Sequence, residues 1–313
     1  MTDDRDGDSQ SPPDPRLPCT ARKREAEEWA LVLTAVGLDA RVVRGPRGFS
    51  VSVSSDEIDQ AAEILSSWQE ERAERARRHS LPVPRGATPF ETAMAYACAI
   101  ALLSFHLGLA RAGRWADFVD LGASRAALVL DGQVWRLATA LTLHSDLPHV
   151  LGNTLFGGFF LAALAGRLGI GLALLAFVTT GALGNLANAL YYGSAHSSIG
   201  ASTGVFGLVG VLAGLAAWRR HQTAPPGRGA WVAFAAGLAI VAMLGTGGPQ
   251  VDFSAHLFGL AAGGLTGLLL AIPAARWPTP GHTGQWIAAL SALAVLLGAW
   301  AQARPWTLGI GGS

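Results

Sequence analysis

The sequence predicts an α-helical polytopic membrane protein with a small soluble α/β domain at its N-terminus, and three observations carry that prediction. Of the 313 residues 50% are hydrophobic and only 14% are charged, with 39 glycines, a balance outside the usual range of soluble domains. Apolar segments long enough to cross a bilayer recur from residue 93 onward. Charge is also segregated: most acids lie in the first eighty residues, and no Asp, Glu, Lys or Arg occurs between Leu168 and Trp218. The formal net charge of +1 therefore averages two regions facing different solvents. Cys19 and Cys98 fall in an expected tail and an expected membrane helix, so no disulfide framework follows.

Residues 1–20 are rich in Asp, Ser and Pro without an apolar core, which predicts a disordered tail rather than a signal peptide. Residues 21–79 read as a small cytoplasmic α/β domain of helix-strand-strand-helix order. Trp29, Leu33 and Val36 recur at helical spacing up to Gly37. The β-type runs Ala40–Val43 and Phe49–Val53 flank the turn residues Gly45-Pro46-Arg47-Gly48. Ser54 and Glu57 have the spacing of a capping box, and Ile58, Ala61, Ile64, Leu65 and Trp68 form the apolar stripe of a second helix. Nothing in this domain identifies its partner. Arg72, Arg75, Arg77 and Arg78 precede a linker over residues 80–92; ahead of a first membrane helix such a basic run is a topology signal, not a nucleic-acid site.

Spanning segments are expected at 93–110, 147–166, 168–192, 199–218, 230–246, 251–272 and 284–303, seven crossings in all, with residues 273–313 holding the last helix and a C-terminal tail. Arg167, Arg219, Arg220, Arg228 and Arg276 fall on the same side as the N-terminal linker, so the positive-inside rule puts the N-terminus in the cytoplasm and the C-terminus outside. Residues 111–146 mix apolar and charged side chains, as expected of a segment lying at the outer interface.

On this topology the second, fourth and sixth spans all begin at the outer face, and each opens with polar groups. His149 and Asn153 are four residues apart on one helix face. Ser202 is expected three residues after the start of the fourth span and His256 about five after the start of the sixth, roughly 5–8 Å below the outer ends at 1.5 Å per residue. A lone serine in a membrane helix is ordinarily a packing residue. An intramembrane histidine is costly and points to a polar cavity. Agreement in depth among three spans turns these separate residues into a candidate site. Gly200, Gly204, Gly207 and Gly210 on the fourth span, with Gly259 and Gly263 on the face of His256, would let two helices approach closely enough for proton transfer from Ser202 to His256. Asp252, four residues before His256, fits a helix cap and could also orient the imidazole. His106 and His144 have no matching partners and read as structural. No cluster has metal-ligand spacing, and no cofactor is implied.

These residues resemble those of the rhomboid intramembrane serine proteases. The likeness covers about Ala93 to Ile272 and rests on Gly132-Gln133-Val134-Trp135-Arg136-Leu137, the H-x-x-x-N of His149 and Asn153, the G-x-S of Gly200 and Ser202, and Ala255-His256-Leu257-Phe258-Gly259 with Gly263. It implies a six-helix rhomboid-like core over residues 93–272 followed by a seventh helix. It further implies Ser202 as nucleophile, His256 as general base, and the Ser202 N–H with His149 and Asn153 as oxyanion donors. Phe206 corresponds to the aromatic that stacks on the catalytic histidine. Thr203 stands where the family usually has glycine, with Gly204 following. The implied function is endoproteolysis of transmembrane protein substrates near the outer face of the lipid bilayer. High Gly and Ala with almost no Lys point separately to a GC-rich bacterial genome, and so to a bacterial plasma membrane. Two other classes remain open on the sequence: an inactive rhomboid-like protein that binds membrane helices, and a channel or transporter. The presence of both Ser202 and His256 argues against the first, and the apolar inner halves of the spans argue against the second.

Overall fold

The computed structural model describes residues 14–79, 85–223, 252–276 and 279–304, with isolated positions at 232, 235–236 and 239. The chain divides into two compact units, residues 14–79 belonging to the first and residues 85–304 to the second.

In the first unit, helix α1 (Lys23–Ala35) buries Ala26, Trp29 and Leu33 along one face. It stops at Gly37, whose φ of +96° disfavours any other residue. Strands β1 (Arg41–Gly45) and β2 (Gly48–Ser52) pair antiparallel with Gly45 opposite Gly48, so Pro46 and Arg47 alone make the turn. Helix α2 (Ile58–His79) closes the core with Ala61 and Leu65. Two local readings are corrected. The expected disordered tail to residue 20 ends earlier: Leu17 is buried, Thr20 bridges Phe49, and the Pro18 carbonyl accepts the Ser50 hydroxyl at 2.8 Å. Ser54 and Glu57 do meet, but the Ser54 hydroxyl donates to the Glu57 carboxylate in a turn before the helix starts, so they form no capping box.

The second unit is a helical bundle, and among the described residues six of its helices are long and apolar enough to span a membrane. They are α3 (Pro89–Arg111), α7 (Leu147–Leu168), α8 (Ile170–Tyr192), α9 (Ser202–Thr223), α10 (Phe253–Arg276) and α11 (His282–Ala303). The span expected at 230–246 lies outside the described residues. Helix α3 starts at Pro89, earlier than expected, because Thr88 and Glu91 form a capping box with proline at the first turn. Arg85 grips the same Glu91 carboxylate at 2.7 and 2.8 Å.

Helix α9 is the centre of the bundle: 67% of its most apolar stretch is buried, against 22–44% for the other five spans. It runs parallel to α10, in a register set by backbone contact. A Cβ on Gly259, Gly263 or Gly267 would overlap the carbonyl oxygens of Thr203, Gly207 or Val211, so only hydrogen fits at these positions. The glycines expected together on the fourth span divide their work. Gly204 and Gly207 admit Phe177 and Thr180 of α8, whereas Gly210 meets the Leu260 carbonyl of α10, and Gly200 stands before the helix.

Between α3 and α7 the chain makes short helices α4 (Trp115–Gly122), α5 (Ala126–Leu130) and α6 (Arg136–Thr139) and a 3-10 turn over Ala140–Thr142. Its two-residue strand β3 (Ser124–Arg125) pairs antiparallel with β4 (Ser197–Ser198), just ahead of α9. The last span pins this loop and the opposite end of the bundle. Trp300 donates to the Thr142 hydroxyl at 3.1 Å, and its ring meets Phe105 and Phe118. Gln285, at the other end of α11, accepts the Gly171 and Leu172 amides at 2.9 and 3.2 Å and donates to the Leu168 carbonyl at 2.7 Å. Those are the groups left unpaired where α7 ends and α8 begins.

Candidate active site

Ser202 is the first residue of α9, not three residues inside it, and His256 is the fourth residue of α10 rather than the fifth or sixth of a span. Because the two helices run parallel with Thr203 against Gly259, their first turns lie side by side. Ser202 Oγ is 2.8 Å from His256 Nε2. The imidazole is 5% exposed, and the Phe206 ring lies against it with centroids 4.5 Å apart and planes at 37°. For the serine hydroxyl to donate to Nε2, the imidazole proton must sit on Nδ1, which has no hydrogen-bond partner among the described residues.

The chain enters α9 through β4, then Gly200 with φ +136°, then the serine. This is a miniature strand-turn-helix corner. The Gly200 amide donates to the Ala140 carbonyl at 3.0 Å, and the Ala201 amide donates to His144 Nε2 at 3.3 Å. His144, expected to lack a partner, is thus a positioning group. It is fully buried, its own carbonyl accepts the Trp115 indole at 2.7 Å, and its ring lies between those of His106 and His149 at 6.3 and 5.2 Å. Burial, and after it the neighbouring His149 and His106, pushes its pKa down to about 3, so it stays neutral and keeps Nε2 as an acceptor.

His149 sits in the first turn of α7, where Asp146 caps the helix by accepting the His149 amide at 2.8 Å. That hydrogen bond, with one from Ser145, holds the Asp146 carboxyl below the usual carboxylate range. The Ser145 hydroxyl donates to Asp146 at 2.8 Å and lies 3.1 Å from His149 Nδ1. With its one proton spent on Asp146, that oxygen accepts from Nδ1–H. A proton on Nε2 then requires either an imidazolium or rotation of the Ser145 hydroxyl. Asn153 is 8% exposed, and its amide donates to the His149 carbonyl at 3.0 Å, along its own helix. An apolar cavity of about 350 Å³ lies behind Asn153 and Ala201, walled by Leu102, Phe177, Val205 and Leu293 among others.

His149 and Ser202 face one small space. A Cβ added to Gly200 would lie 2.9 Å from His149 Nε2 and 3.2 Å from Ser202 Oγ. An atom there would touch both Ser202 Oγ and His149 Nε2, and any side chain at position 200 would fill the gap.

The remaining expected residues sit outside this space. Arg136 is 5% exposed and pins the loop: it donates to the Asp120 and Ala123 carbonyls, each at 2.9 Å, and to Gln133 at 2.8 Å. Trp135 borders a depression beside Ala301 to Arg304. Asp252 does not bond to the His256 ring; its side chain caps α10 by accepting the Ala255 amide at 3.1 Å. It also binds His196 at 2.6 Å and Asn188 at 2.7 Å, two residues that sequence reasoning missed. Their only sequence signal is polarity at the end of a span.

Comparison with known proteins agrees with this architecture. Residues 131–273 match the model of the rhomboid domain. Rhomboid protease GluP of Bacillus subtilis is 34% identical over 30% of this chain and 18% of its own length. Rhomboid-like protease 1 of Toxoplasma gondii is 32% identical over 48% of this chain and 52% of its own. RHOMBOID-like protein 7 of Arabidopsis thaliana is 34% identical over 46% of both. The chain thus spans about half or less of the length of these three relatives. Residues 131–273 of this multi-pass membrane protein thus carry the rhomboid domain, with six candidate spans in and around them among the described residues.

Proposed function

We propose that the protein is a serine endopeptidase that cuts transmembrane segments of other membrane proteins near the outer face of the bilayer. The observation that carries this reading is the 2.8 Å separation of Ser202 Oγ and His256 Nε2 across two membrane-spanning helices. His256 Nε2 takes the hydroxyl proton as Oγ bonds to the scissile carbonyl carbon. The oxyanion that forms is met by the Ser202 amide at the positive end of α9 and by His149 Nε2–H, once the Ser145 hydroxyl has rotated to donate to Nδ1, with Asn153 supplying its second amide hydrogen. Collapse expels the amine, which takes the proton from His256 and leaves an acyl-enzyme on Ser202. Water, deprotonated by the same imidazole, then releases the acid. Phe206 holds the imidazole plane throughout. Arg167, Arg219, Arg220 and Arg276 support an orientation with the N-terminal unit in the cytoplasm and the site toward the outside of a bacterial plasma membrane.

A fluorophosphonate probe tests the reading. The wild type is expected to label at Ser202 and to cut a model transmembrane substrate, with both activities abolished in Ser202→Ala and His256→Ala. A wild type that stays unlabelled and leaves the substrate intact sinks it, in favour of a protein that only binds membrane helices.

A further inference from the structure

The Asp252 side chain is 14% exposed and gathers more hydrogen bonds than a helix cap needs. One oxygen accepts the Ser254 hydroxyl at 2.7 Å and the Ala255 amide at 3.1 Å, which is the work of an ordinary cap. The other accepts Asn188 Nδ2 at 2.7 Å, from the end of α8, and His196 Nε2 at 2.6 Å, from the segment entering β4. Ser198 of β4 also helps to lower the pKa of this carboxylate. His196 is held in turn by stacking on Tyr192, with centroids 3.9 Å apart and planes at 13°. Ser198 stands four residues before Ser202, as Asp252 stands four before His256.

We propose that Asp252 is a positioning residue for the dyad, its carboxylate tying the start of the His256 helix to the segment that delivers Ser202 and so fixing the gap between them. It touches neither dyad side chain and acts through the two backbones. A carboxylate suits the role because two oxygens with about four lone-pair sites can serve donors arriving from two directions. Burial pushes its pKa up, but the bonds from Ser254, His196, the Ala255 amide and Ser198 outweigh this and hold it at about 2, so the anion persists.

The inference rests on the proteolytic reading, and Asp252→Ser separates it from simple capping. Serine is a good cap but is too short to reach Asn188 and His196. In full-length protein reconstituted in vesicles with a model transmembrane substrate, Asp252→Ser is expected to lower kcat by about 10- to 100-fold, the scale of a small misplacement, with KM within about twofold. Asn188→Ala combined with His196→Ala should do the same with the cap intact, and His196→Gln, which keeps a donor, should recover more activity than His196→Ala. Wild-type kcat in Asp252→Ser would overturn the proposal. A second readout needs no turnover: in a Cys19→Ser/Cys98→Ala background, Ser202→Cys/His256→Cys is cross-linked with dibromobimane, which fluoresces once both arms react. Adding Asp252→Ser should slow cross-linking, and an unchanged rate overturns the inference. If the wild type proves inert, the protease reading falls while the cross-link still decides the role of Asp252.

Discussion

Two demands meet at Gly200. Its φ of +136° turns the chain from β4 into α9, and the absence of a Cβ leaves open the space between His149 Nε2 and Ser202 Oγ. Gly200→Ala should therefore cost activity through both strain and obstruction. The expected loss in kcat/KM is on the order of 10²–10³, as for removal of an oxyanion donor, read with a transmembrane substrate and checked by slower fluorophosphonate labelling. His144 makes a second prediction at this scale. Its folded pKa of about 3 lies below the roughly 6.5 of an unfolded histidine, so between these values the unfolded chain binds the proton first. Its contribution to stability is complete above about pH 6.5 and drains away as the pH falls toward 3. The melting temperature in detergent should drop steadily from pH 7 to 5, and His144→Gln, which keeps an acceptor for the Ala201 amide, should flatten that slope. Residues were unequally legible. Ser202 and His256 stood out because an imidazole is costly in lipid and the serine was expected at matching depth in another span. His196 and Asn188 did not, because each matters only through Asp252, dozens of residues away in sequence.

Among the elements, α9 and α10 meet through backbone rather than side chains. Gly263 faces the Gly207 carbonyl with no room for a methyl group, one turn beyond the Gly259 and Thr203 contact that sets the dyad. Gly263→Val must push the helices apart, at a cost of roughly 1–3 kcal/mol of overpacking. The measured outcome should be a lower melting temperature together with loss of labelling at Ser202; a stable, fully reactive variant would show that the helices tolerate a wider separation. This packing was readable as small residues at helical spacing, but the sharing of α9's glycines between α8 and α10 was not, since spacing does not say which neighbour a face meets. Helix starts were misread for a related reason. Thr88 and Glu91 cap α3 in a stretch expected to be linker, and proline in the first turn of a helix is an ordinary start. In the last span, Gln285 satisfies groups at the junction of α7 and α8 while Trp300 reaches the loop ahead of α7. The seventh expected helix is thus a clamp on the bundle rather than an appendage.

At the scale of the whole molecule, the sequence separated a charged head from an apolar body, and each unit's core is drawn from its own stretch of chain. The core of the first unit runs from Leu17 to Leu65, with Trp68 packed at its edge, and the dyad with its neighbours His149, Gly200 and Phe206 lies in the second. Composition made this division visible because the two units bury their apolar faces against different media, one against itself and the other against lipid and itself. The consequence is that neither should need the other to fold. A fragment of residues 14–79 is expected to unfold cooperatively, with a near-ultraviolet signal from the buried Trp29, although at this size its stability should be only a few kcal/mol. A chain beginning at residue 83 should label with fluorophosphonate at a rate within about twofold of the full protein, because the groups described around Ser202 and His256 belong to the second unit. A fragment without tertiary signal would mean that the head completes its core elsewhere. A truncated chain that folds but labels far more slowly would mean that the head acts on the site, and cleavage assays with and without it would then have to be run side by side to find which kinetic step it governs.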